Sequence, residues 1–251
     1  MSERETDRGK SQTVHAQLAL RGMILSGKLP SGERISELQA VDLTGVSRTP
    51  VRLALVRLED EGLLQAIPTG GFMVKAISER DILDSIELRG TLEGLSARLT
   101  AERGASTQQL APLKQCLRAI ERLITDASVS DAAFSAYVDL NARFHALLTE
   151  LSGSDPVSRQ IERAAALPFA SPSAFVMAQS ALPEARHILL IAQEHHHVVI
   201  EAIEKREGAR AEAVMREHAR LAARNLRLAL QSRSARDLVP GLALLQRAAA
   251  D

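Results

Sequence analysis

Cysteine is nearly missing from this chain. Cys116 is the one thiol among 251 residues, which excludes an internal disulfide framework and any cysteine-rich zinc module. Tryptophan is absent and aromatics make up 2% of the sequence, while Ala, Leu, Arg and Glu fill long periodic stretches. That balance favours helices over sheets. No apolar run approaches the roughly 18 to 20 residues that a membrane span needs. Residues 1–9 are polar rather than signal-like, so the expectation is a soluble protein of the reducing cytoplasm with no membrane partner. An excess of charge is also lacking: 31 basic residues cancel 31 acidic ones, and any case for nucleic-acid binding must therefore be local. What is present is length. With 45% apolar residues the chain can bury two ordinary domains.

Residues 1–10 alternate charges without apolar periodicity and read as a disordered arm. Val14, Leu18, Arg21 and Leu25 then recur at helical spacing until Gly27 to Gly32, a segment that contains Pro30, stops the helix. A short helix is expected over 36–43. After the Thr44-Gly45-Val46 turn, Ser47 is placed to cap a third helix whose apolar face is Val51, Ala54, Leu55 and Leu58. Pro50 is tolerated there because it lies in the first turn, where its missing donor costs no intrahelical bond. Residues 63–67 and 72–74 read as two strands around Pro68-Thr69-Gly70-Gly71. Three helices and a hairpin make a winged helix-turn-helix over residues 11–76.

Ser78-Glu79-Arg80-Asp81 is a capping-box start, and the pattern beyond it is helical almost to the end. Helices are expected over 79–103, 107–125, 131–151, 155–166, 174–180, 184–206 and 209–231, with breaks at Gly104, Gly153, Pro168, Pro172, Pro183 and Gly208. The fold class is therefore mainly α: an N-terminal winged helix-turn-helix followed by an all-α antiparallel bundle over 77–232, with residues 233–251 as a tail that adds a short apolar helix around Leu242 to Leu245, its packing partner not identified by the sequence.

A helix that reads DNA must offer long donors at its N-terminal end, where side chains reach base edges while the helix dipole and free amides approach phosphate. The stretch from Ser47 to Leu58 contains Arg48, Arg52 and Arg57 and no acidic residue. Arg48 and Arg52, spaced i, i+4, share a face, and either can present a bidentate fork to guanine or clamp a phosphate. Ser47, Thr49 and Arg34, the last at the entrance to the second helix, add backbone contacts in this reading, and the Gly70-Gly71 tip follows the adjacent minor groove. The run Gly45-Val46-Ser47-Arg48-Thr49-Pro50-Val51-Arg52, with Glu61-Gly62-Leu63 and Gly71-Phe72-Met73-Val74 after it, resembles the GntR family of winged-helix regulators. The resemblance covers about residues 14–74 and implies operator binding. Leu53 stands where the family usually has glutamate, and residues 40–44 match its second helix poorly.

Asn141 and His145 are i, i+4 on one expected helix, so an amide oxygen and an imidazole point at one spot. His196 and His218 lie 218 − 196 = 22 residues apart on two helices that can form an antiparallel hairpin. His195 and His197 compete with His196 for register, and Asp139 is an alternative oxygen. Three imidazoles and one oxygen suit zinc, nickel, manganese or iron. Because Asn141 is neutral, the ion's full charge would survive to attract an anion, whose carboxylate Arg89 can meet bidentately.

The region also looks like the FadR-type sensor domain often fused to GntR heads, through Arg89-Gly-Thr-Leu-Glu93, Asn141-x-x-Phe144-His145, His196 through Ala202, and His218. That resemblance implies a metal held by Asn141, His145, His196 and His218 beside a cavity for a small organic acid. The combined expectation is a homodimeric repressor or activator that binds double-stranded operator DNA under control of such an acid. Two alternatives stand beside it: the same regulator with a metal-free pocket, and a metal-dependent hydrolase, against which counts the lack of a Glu within a metal motif such as His-Glu-x-x-His.

Overall fold

The computed structural model describes residues 3–124, 130–180 and 185–245. Chain contacts divide it into two compact units, residues 1–81 together with 240–251, and residues 82–239.

In the first unit, α1 (Glu3–Leu25), α2 (Glu37–Thr44) and α3 (Arg48–Asp60) pack around Leu20, Ile24, Ala40, Val51, Leu55 and Leu58, all fully buried. Glu61, just past α3, accepts from Gln17 Nε2 at 2.5 Å and from Arg21 Nε at 3.0 Å, tying α1 to the end of α3. Ser36 caps α2 by accepting from Gln39 N at 3.1 Å, and Gly45 ends it at φ 68°, the left-handed conformation in which glycine avoids a Cβ penalty.

Strands β1 (Arg34–Ile35), β2 (Leu64–Ala66) and β3 (Phe72–Val74) form an antiparallel sheet in the order β1-β3-β2, with Ile35 opposite Phe72 and Leu64 opposite Val74. The unit is thus a winged helix-turn-helix. The two residues of β1 are too few to show a strand pattern, so Arg34, expected at the entrance to the second helix, instead lies on a strand.

Two expectations at the chain ends differ from the structure. The backbone of the segment expected to be a disordered arm is helical from Glu3 onward, continuous with α1; it contains no proline, and its Glu, Arg and Lys are good helix formers. Toward the other end, a 3₁₀ turn at Leu242–Leu244 is followed by Leu245, which pairs in parallel with Ile77; Ile77 N donates to Leu244 O at 3.0 Å. The short helix expected around Leu242 to Leu245 is thus present as one 3₁₀ turn; Leu244 is buried, and residues 240–245 group with the first unit rather than forming a separate tail region. The expected break at Pro183, residue 125 of an expected helix, residues 1–2 and residues 246–251 lie outside the described residues.

Among the described residues, the regular elements of the second unit are all helices. Its first helix, α4 (Glu79–Arg103), starts in the first unit with reciprocal capping: Ser78 Oγ accepts from Asp81 N, and Asp81 Oδ2 accepts from Ser78 N, both at 3.0 Å. It is followed by α5 (Thr107–Ile124), α6 (Asp131–Leu151), α7 (Asp155–Ala166), the single turn α8 (Val176–Gln179), α9 (Ala185–Glu204), α10 (Gly208–Gln231) and α11 (Arg233–Asp237). Gly208 opens α10 rather than breaking the chain; the turn is made by Arg206, at φ 60°. The core joins Leu113, Leu117 and Ile120 of α5, Phe134, Tyr137 and Phe144 of α6, and Val199 and Ile203 of α9.

The approach of α4 to α10 is set by small residues. A Cβ on Gly90 would lie 2.6 Å from Ala219 Cβ, and one on Gly94 would lie 2.8 Å from Arg216 Cγ. Glycine at these positions lets the two helices come close enough for side chains beside the contact to meet.

Candidate nucleic-acid interface and metal centre

In the first unit, Arg48, Thr49 and Arg52 are exposed on α3, and Ser47 takes the position before its first residue. The Ser47 backbone is extended, as a cap requires, yet its hydroxyl makes no capping bond. Arg52 Nε lies 3.5 Å from Glu37 Oε1, a pair between exposed groups that costs little to break. Arg34 is exposed on β1 opposite Met73. The two glycines of the wing tip, at φ 97° and 83°, differ in cause. Around Gly70 there is open space, whereas a Cβ on Gly71 would sit 3.0 Å from Ile35 O, so sheet packing demands glycine there whatever the wing touches. Leu53 is also exposed, at 52%.

In the second unit, α6 carries Asn141 and His145, α9 carries His196 and α10 carries His218, all buried. His218 Nε2 is 3.2 Å from His196 Nε2 and 3.2 Å from His145 Nε2. Of the competing histidines, His197 is at the surface, with Nε2 2.6 Å from Glu121 Oε1, and His195 is half-buried beside His218. Asp139 is exposed. The structure therefore brings His145, His196 and His218 together and leaves the other three candidates out.

A count of protons decides what this cluster can do. Glu93 Oε1 lies 2.8 Å from His145 Nδ1, a contact that keeps a proton on Nδ1 and turns Nε2 toward the other two rings. His196 Nδ1 faces Gln193 Oε1 at a long 3.4 Å, with the same consequence. Burial, reinforced by the neighbouring rings, holds both His196 and His218 well below the ordinary histidine range, so they are neutral. Nitrogens 3.2 Å apart cannot both point a proton at each other, so Nε2 lone pairs face this space. An ion bound about 2.0 to 2.1 Å from each nitrogen would hold neighbouring nitrogens about 2.9 to 3.4 Å apart, which matches the two 3.2 Å separations. Asn141 Nδ2 donates to Ser173 Oγ at 3.1 Å, while its Oδ1 is buried with no partner among the described residues. The donor set fits a divalent ion.

Sequence reasoning assigned no role to Glu93, Gln193 or Ser173, each of which orients a member of this set. Glu93 also pairs with Arg89, both nearly inaccessible to solvent. Burial opposes ionisation of Glu93, yet the Arg89 guanidinium and the His145 ring together hold its carboxyl below the usual range. The signal was present in helical spacing: Glu93 is i+4 from Arg89, and Gln193 is i−3 from His196. A cavity of about 30 Å³ adjoins the cluster, lined by Arg89, Asn141 and His218 together with Gln179 and Asn225.

Comparison with known proteins gives each of the two units a family match. Residues 12–74 match the family model described as bacterial regulatory proteins, gntR family, and residues 84–221 match the FCD domain. The chain is 32% identical over 143 residues to the uncharacterized HTH-type transcriptional regulator YdhC of Bacillus subtilis, covering 57% of this chain and 62% of that one. It is 32% identical over 139 residues to the Nta operon transcriptional regulator of Aminobacter aminovorans, covering 55% and 63%. These two matches therefore span less than two thirds of each relative. The HTH-type transcriptional repressor RspR of Escherichia coli is 26% identical over 223 residues, 85% of this chain and 89% of its own. Among solved structures, E. coli McbR/YncC shares the fold with a TM-score of 0.56 at 20% identity, covering 88% of this chain and 97% of that one. Lar, which controls expression of the Listeria monocytogenes agr system, does so with a TM-score of 0.58 at 16% identity, covering 86% and 97%. The families and relatives matched are transcriptional regulators, which sets the hydrolase alternative aside.

Proposed function

Because the chain belongs to the gntR family of bacterial regulatory proteins and carries an FCD domain, we propose that it is a cytoplasmic, homodimeric regulator whose operator affinity is set by a small organic acid bound beside a divalent metal. On the DNA side, Arg48 and Arg52 enter the major groove from the N-terminal end of α3. Ser47, Thr49 and Arg34 contact phosphates, and the Gly70-Gly71 tip follows the neighbouring minor groove. Two copies would read two half-sites related by the dimer axis.

The observation that carries the sensing side is the convergence of three imidazole nitrogens and an amide oxygen without a partner among the described residues in one buried place. His145, His196, His218 and Asn141 would hold zinc, nickel, manganese or iron. A bound ion would supply an unneutralised positive charge with coordination positions open to a carboxylate. Glu93 fixes the His145 ring so that Nε2 faces inward, and Gln193 does the same for His196. Arg89, held by Glu93, offers guanidinium donors to the far side of the same carboxylate. The cavity is small, so an acid must enlarge it on binding. That displacement makes affinity for the acid depend on conformation, and through linkage it can alter operator affinity.

Metal analysis of the purified protein tests the site. The wild type should retain close to one divalent ion per chain through gel filtration, and the His196→Ala/His218→Ala double variant should retain none. Equal metal content in the two would remove the ion from the account and leave a metal-free pocket.

A further inference from the structure

The outward face of α3 is not uniformly polar. Counted at about 100° per residue, its buried residues Pro50, Val51, Ala54, Leu55 and Leu58 centre on one direction, and Thr49 and Val56 point the opposite way. Arg52 flanks that pair on one side and Leu53 on the other. Leu53 is 52% exposed and Val56 42%, so two apolar side chains stand on the surface that also carries Arg48 and Arg52.

An isolated exposed leucine needs no explanation. These two are neighbours across one helical turn, i and i+3, and they lie among cations: from Ser47 to Leu58 the chain carries Arg48, Arg52 and Arg57 and no acidic residue. That charge suits a polyanion and opposes the docking of a second copy of α3, which would set like charge against like.

A base edge covered by hydrocarbon loses its hydrogen bonds to water and gains none in return. The contact is therefore favourable where the edge presents carbon. In the major groove only thymine presents a methyl group, whereas cytosine offers an amino group that a leucine would strand. Leu53 lies five residues beyond Arg48, about 7.5 Å further along the helix, more than one base-pair step of about 3.4 Å. Resting on the major-groove reading of α3 above, we infer that Leu53 reads the C5 methyl of a thymine at a different base pair from the one Arg48 meets, with Val56 extending the apolar surface beyond it.

The test uses the full-length protein and a duplex selected from a random pool. Each thymine of the selected site is replaced in turn by deoxyuridine, which removes the C5 methyl and nothing else. At one position in each half-site affinity should fall about three- to fivefold, the value of one methyl group taken out of water. Leu53→Ala should weaken binding to the all-thymine duplex by a similar factor and abolish the distinction between thymine and deoxyuridine there, while Leu53→Met keeps it. Base preference at the position set by Arg48 should be unchanged in Leu53→Ala, which also shows that the variant is folded. Tolerance of deoxyuridine at every position would overturn this inference and leave the reading by Arg48 intact. A thymine preference that survives in Leu53→Ala would overturn it too, since another residue would then read the methyl. Loss of the dimer on gel filtration of Leu53→Ala, with its base preference kept, would overturn it in favour of contact between copies. Failure of the selection to enrich any duplex would overturn both readings.

Discussion

Arg48 and Arg52 share a helix face and a charge, but their surroundings separate them. Arg52 has Glu37 beside it, while Arg48 stands at the first residue of α3, where a reading side chain reaches deepest. Replacing Arg48 with Ala should therefore cost about 1 to 3 kcal/mol of operator binding and relax preference at one base position, as a binding selection on randomised duplexes would show. An unchanged base profile would assign Arg48 to phosphate.

The histidines allow a second prediction at this scale. Burial depresses the pKa of His196 and His218, whereas in the unfolded chain they return to about 6.5. Below that pH the unfolded state binds more protons than the folded one, so stability of the chelator-treated protein should fall as pH is lowered from 7 to 5. Melting temperatures across that range check it; a flat profile would mean the rings are not held neutral. Much of this cluster was legible beforehand, since i, i+4 spacing joined Asn141 to His145. The choice among His195, His196 and His197 was not, because three adjacent residues point in three directions and only the packing of α9 against α10 decides which faces inward.

The meeting of α4 and α10 illustrates what periodicity alone conveys about elements. Gly90 and Gly94 read as weak points in a helix, since glycine costs about 1 kcal/mol against alanine there. Packing reverses that sign. Gly90→Ala would place a methyl 2.6 Å from Ala219 Cβ and should destabilise the protein by about 1 to 3 kcal/mol through overpacking, with Ala219→Gly restoring part of the loss. Urea midpoints of the three variants measure this; stabilisation by Gly90→Ala alone would show that the helices do not meet as closely as described. Long helices such as α4 and α6 were recognisable from their apolar repeat and capping residues. The single turn α8 falls inside the helix expected over 174–180, whereas the two-residue β1 was not recognisable, because it is too short to establish a period. Gln179, which lines the cavity from the end of α8, was placed on a helix but given no role, because one turn does not tell which face it buries.

Across the whole molecule, the change from a winged helix-turn-helix to an all-α bundle was visible in the change of pattern near Ser78, where strand and turn residues give way to sustained helix. The return of residues 240–245 to the first unit was not visible, since pairing of Leu245 with Ile77 spans most of the chain and leaves no local trace. The chain consequently passes between the units twice, once before Ile82 and once after Val239.

The central claim is that the state of the buried cavity governs the grip of α3 on DNA. It is tested most directly by measuring the affinity of the zinc-loaded protein for a duplex selected from a random pool, with and without the small carboxylic acid that most raises its melting temperature. The account predicts a change of at least about fivefold, matched by an equal change in affinity for the acid when duplex is present, as reciprocal linkage requires. The same affinity for the duplex with and without saturating acid would contradict it.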